Sequence, residues 1–137
     1  MNHVHNRLRA ALIVVLLFLY MPAASAQEYE DLVQVMRDYM AHTETLITSL
    51  DAAQSADQVT AAMRAYLEAS RAYIGQMQAL EEKYPELNDE VPATLENLLE
   101  ELEEVMMRLQ SSMMKLADYA DDAELGKVME EFQNLMM

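Results

Sequence analysis

Eleven of the chain's 13 methionines lie between residues 27 and 137, including the doublets Met106-Met107, Met113-Met114 and Met136-Met137. Thioether sulfur is a soft ligand suited to Cu(I), so the spacing of these residues is the first question. Met36 and Met40 stand four apart, which puts both side chains on one helical face. Met106 and Met113 are a heptad apart, about 10.5 Å along a helix axis, too far for two sulfurs on one ion. Chemistry that demands less geometry is packing, because an unbranched thioether fills irregular core space. Core filling is the expectation for most of them, and Met36 and Met40 are the first ligands to suspect in a metal-carrying alternative.

Catalytic groupings are thin. Residues 27–137 contain a single histidine, His42, and the chain has no cysteine. One histidine expected at a bundle edge does not make a nucleophile, base and orienting group. Thiol catalysis, thiolate metal sites and disulfides are excluded outright. The 24 acidic residues fall mostly on faces expected to be wet, with no pair set apart as acid and base. The expectation is a non-enzymatic chain, with no catalytic, cofactor-binding or metal site assigned.

The elements that position these residues follow from periodicity. Val33, Met36, Met40, Thr43, Ile47 and Leu50 step by three and four, predicting a helix from about Glu28 to Ala52. Ser55-Ala56-Asp57-Gln58 reads as a capping box that starts a second helix. Its stripe runs Val59, Met63, Tyr66, Ser70, Tyr73, Met77, Leu80 and Tyr84, and Pro85 ends it. Gly75 lies on the far side, where a bend is allowed at about 1 kcal/mol against alanine.

A loop at 86–91 follows, with Asn88 or Asp89 as candidate cap. The third helix, Pro92 to Tyr119, carries Leu95, Leu98, Leu102, Val105, Leu109, Ser112, Leu116 and Tyr119 on one face and an acidic ridge, Glu96 to Glu104, on the other. Beyond Ala120 the apolar phase breaks, so Asp121-Asp122 is expected to turn the chain into a short fourth helix ending near Leu135. The rival is one continuous helix through Asp121, since Met107 and Met114 share the phase of Val128 and Leu135. Those two methionines sit about 120–140° from the stripe centre. They predict either packing with the fourth helix or an exposed apolar strip for a partner. The fold class expected is all-α: an up-down antiparallel bundle of three long helices plus a short C-terminal fourth.

Residues 1–26 read as a signal peptide: Arg7 and Arg9, an apolar run from Ala10 to Tyr20, then Ala24-Ser25-Ala26 as the cleavage site. The run is short against the ~20 residues that a bilayer crossing needs. Export to a periplasm or out of the cell is expected, leaving 27–137 as a single bundle domain. Arg7 and Arg9 leave with the signal, so the whole chain's −15 becomes −17. That charge repels nucleic acid and anionic lipid and favours basic partners. With only two glycines, hairpin turns and phosphate-cradling loops are in short supply.

The corner Ala53-x-x-Ala56-x-Gln58-Val59, its distance from Met40, and Gly126-Lys127-Val128 at the start of the last helix resemble the periplasmic four-helix-bundle b-type cytochromes. The resemblance implies a bundle and, at Met40, one axial ligand of a non-covalent haem. The family's second ligand, a histidine near the end of helix four, has no counterpart, because its position falls beyond Met137. No Cys-x-x-Cys-His occurs, so covalent haem attachment is excluded. The leading expectation is an exported acidic bundle with a binding or structural role, through a protein partner or self-association. The alternative is a carrier of Cu(I) or non-covalent haem.

Overall fold

The computed structural model describes residues 29–137, and two compact units divide at Asp31, with Leu32–Met137 forming the bundle. The signal peptide expected at residues 1–26 and its cleavage point lie outside the described residues. Among the described residues four α-helices follow in order: α1 Glu30–Ala52, α2 Ala56–Lys83, α3 Ala93–Met113 and α4 Ala123–Met136. Short 3-10 segments occupy Pro85–Asn88 and Met114–Tyr119. The architecture is all-α, an up-down bundle of three long helices and a short fourth.

Local chemistry explains the corners. Ser55 is the extended N-cap of α2, and its hydroxyl accepts from the Gln58 amide at 3.3 Å. The Gln58 side chain reaches back to the Gln54 amide at 2.7 Å, one residue before the cap. Asp122 caps α4 by accepting from the Leu125 amide at 2.9 Å. This turn separates α3 from α4, so the continuous-helix rival is overturned. Gly75 leaves α2 unbroken from Ala56 to Lys83.

Two expectations need correction at α3. Neither Asn88 nor Asp89 caps it; Pro92 is the N-cap, without a side-chain bond, and its carbonyl accepts from Leu95 at 2.9 Å. Asn88 is already used in the 3-10 turn, leaving both candidates too far upstream. The α-helix also stops at Met113 rather than Tyr119. No glycine lies between Gly75 and Gly126 to close the end in a left-handed cap, so the last turns tighten into 3-10 geometry instead. At three residues per turn, Leu116 and Tyr119 share a face, and both are half-buried.

Side-chain links fix the register. Arg37–Glu101 at 3.8 Å, Arg108–Glu44 at 2.9 Å and Lys115 to the Asp51 carbonyl at 3.2 Å all span 64 positions, so α1 and α3 run parallel. Arg64–Glu124 at 3.5 Å and Arg71–Glu131 at 3.2 Å span 60, so α4 runs parallel to α2. These exposed pairs are worth roughly 0–1 kcal/mol each. The larger contribution comes from the dry seam, where Leu46, Leu50, Met63, Leu67, Leu109 and Val128 pack in one cluster.

Helix lengths leave the bundle asymmetric. The 28 residues of α2 extend about 42 Å and the 14 of α4 about 21 Å. With an offset of 60, Met136 stands level with Gln76. The last two turns of α2 therefore continue beyond the end of α4.

Candidate functional site

The densest side-chain chemistry joins α1, α2 and α4. Tyr39 stacks on Tyr73 with ring centroids 4.1 Å apart and on Tyr66 at 5.6 Å, and Tyr66 stacks on Phe132 at 5.7 Å. The Tyr66 hydroxyl donates to the Tyr39 hydroxyl at 2.6 Å. Thr43 donates to the Tyr39 carbonyl at 2.9 Å and lies 3.1 Å from the Tyr66 oxygen.

Burial holds the Tyr66 phenol far above the ordinary tyrosine range; the Thr43 contact opposes this and the Tyr39 hydroxyl adds to it. Burial, then the nearby Tyr39, raises Tyr73 as well. Ser70, one turn on from Tyr66, is buried, and its hydroxyl finds no hydrogen-bond geometry. A phenol that stays protonated offers no base. The cluster clamps α1 against α2 and α4. The sequence pattern puts Tyr66 and Tyr73 on one stripe but does not give their partnership with Tyr39 across helices.

Three of the hollows among the described residues bear on the suspected side chains and the bundle end. A charged one of about 380 Å³ between α1 and α3 has Met40 and Val105 in its lining, along with Arg37 and Arg108, both already paired with glutamates. A second, of about 250 Å³, contains Asp38, Tyr39, His42 and Tyr73, and His42 itself is exposed. The third, of about 230 Å³, lies at the end of the bundle that α4 does not reach and is mostly apolar. Met36 lines this third hollow and Met40 the first, so the suspected pair is not brought to one cavity. Among the described residues no group of three or more His, Asp or Glu side chains is arranged to hold a metal ion.

The other methionines divide by face. Met36, Met40 and Met63 are buried, while Met77, Met113 and Met129 are half-buried. Met107 is 66% exposed and Met114 76%. Of the two outcomes expected for this pair, the exposed strip is the one found, and Met106 beside it is also exposed. No protein-family model, curated protein or solved structure matches this chain.

Proposed function

We propose that this chain is an exported, acidic helical bundle that works by binding protein, without catalysis, in a periplasm or after secretion. The exposed thioethers of Met107 and Met114 carry the reading. They are two large apolar side chains seven positions apart, Met107 in α3 and Met114 at the start of the 3-10 segment that follows, and neither serves the core. A deformable methionine surface suits contact with protein. The arrangement of polar groups supports the non-catalytic part: among the described residues burial favours the protonated phenols of Tyr66 and Tyr73, and His42 stands at the surface. Among the described residues no helix is long and apolar enough to cross a membrane.

Photo-crosslinking tests this directly, with a photoreactive residue placed at 107 or 114 in the exporting cell. A discrete protein adduct is expected at both positions, whether a second protein or another copy of this chain. Absence of adducts at either position would reject the reading. N-terminal sequencing of the same material should begin at Gln27, and an intact Met1 terminus would reject export by signal cleavage.

A further inference from the structure

The end of the bundle that α4 leaves uncovered has its own composition. Its groove is walled by Met77 and Leu80 of α2 and by Leu95, Leu99 and Leu102 of α3, with Met36 of α1 also in the lining. The 3-10 turn and its following link close one end with Leu87 and Val91. Two of these side chains are open to solvent, Val91 at 44% and Leu99 at 39%. A volume of about 230 Å³ is below the 300–1,000 Å³ of typical small-molecule sites and suits one or two inserted side chains.

Charge around the groove is one-sided. Residues 81–104 contain ten acidic side chains and one basic one, Lys83. All ten carboxylates are exposed, and Glu81 lies in the groove lining itself. Arg37, Arg64, Arg71 and Arg108 are engaged at the helix seams. The apolar depression therefore sits in a field that repels anions and draws cations.

We infer that this groove takes a cationic amphipathic segment of a partner protein, its apolar face seated on Leu99 and Val91 and its basic residues facing the 81–104 carboxylates. The groove lies beyond the level of Met136, alongside α2 and α3, so a helical ligand seated there packs as a further helix against the bundle. The inference rests on the protein-binding reading above but concerns a different surface from Met107 and Met114.

The probe is a fluorescein-labelled helical peptide of about 18 leucines and lysines, patterned with one apolar face, titrated by anisotropy into the purified protein. Saturable binding is expected, weakening as salt rises through screening. Leu99→Asp and Val91→Asp should each weaken it about tenfold or more, the range of a buried anchor lost. Thr48→Asp, at an exposed position of α1 outside the groove, should leave it unchanged. Because an apolar-to-acid change can loosen a bundle, the exposed triple change Glu81→Lys, Glu86→Lys and Glu90→Lys provides a second route. It should weaken the peptide while circular dichroism stays native.

Equal binding of a scrambled peptide of the same composition would overturn the inference, since charge alone would then suffice. So would displacement of the peptide by a fatty acid at the groove, or a dimer lost on Leu99→Asp, which assign the groove to an acyl chain or to a second copy. If the peptide fails while crosslinks at 107 and 114 still form, this inference falls and the binding reading stands.

Discussion

The burial of the Tyr66 phenol, and the raised pKa it causes, set a pH-dependent stability effect. Burial raises its folded value above the ordinary tyrosine value of 10, and unfolding returns it there. Between the two values the unfolded chain has released a proton that the folded chain keeps. The unfolded state then binds fewer protons, so stability falls as pH rises. Below the unfolded value both states are protonated and the contribution is complete. One pH unit past it costs about 1.4 kcal/mol. Urea unfolding followed by circular dichroism should therefore show Tyr66 alone removing about 1.4 kcal/mol between pH 9 and pH 11. Tyr66→Phe isolates this contribution from every other pH-dependent one, because it lacks the titrating group. The substitution itself should lower stability at pH 7 by about 1 kcal/mol, since Tyr39 and Thr43 lose a partner. The wild-type chain should then lose about 1.4 kcal/mol more than Tyr66→Phe between the two pH values. Parallel pH dependences in the two proteins would refute the burial argument.

Gly75 sits on an exposed face inside α2, and a Cβ there would meet nothing within 4 Å. Gly75→Ala should thus add about 0.5–1 kcal/mol, read as a higher urea midpoint, and no gain would mean the helix uses a bend there. Ser70 buries a hydroxyl without a partner, so Ser70→Ala should be neutral or stabilising by up to about 1 kcal/mol. A clear loss in the same titration would reveal a hydrogen bond to Tyr66. Asp122→Ala removes the α4 cap and should destabilise by about 1 kcal/mol; Asp122→Asn should restore most of it.

The helices were legible in the sequence because their determinants are local. The three-four stepping of Val59, Met63, Tyr66 and Ser70 needs only the pitch of a helix. The caps at Ser55 and Asp122 need only residues three positions on. The end of α3 was not legible, because a helix lacking a terminal glycine can continue or tighten, and the choice depends on where Leu116 and Tyr119 find cover. The tyrosine clamp needs the distance between Tyr39 and Tyr66, 27 positions apart, which no periodicity encodes. The apolar groove needs the register of α4 on α2. Leu99 lies off the α3 stripe that carries Leu95, Leu98 and Leu102, and only the offset of 60 shows that α4 stops short of the groove.

Charge and exposed apolar surface set the terms on which this bundle meets other molecules. At physiological salt the Debye length is about 8 Å, so like-charged copies repel only at close approach, the distance at which Met107 or Leu99 would begin to gain by burial. Self-association through either surface must overcome that repulsion, and added salt relieves it. A cationic partner is attracted through the same field, and added salt weakens the attraction. The two modes of binding thus respond to salt with opposite sign, while the apolar contact itself is nearly indifferent. Light scattering and peptide anisotropy on one preparation, across a single salt series, should show mass rising or constant while peptide affinity falls. If both fell together, electrostatics would not separate partner from self, and the acidic stretch 81–104 would lose its role in choosing what the groove accepts.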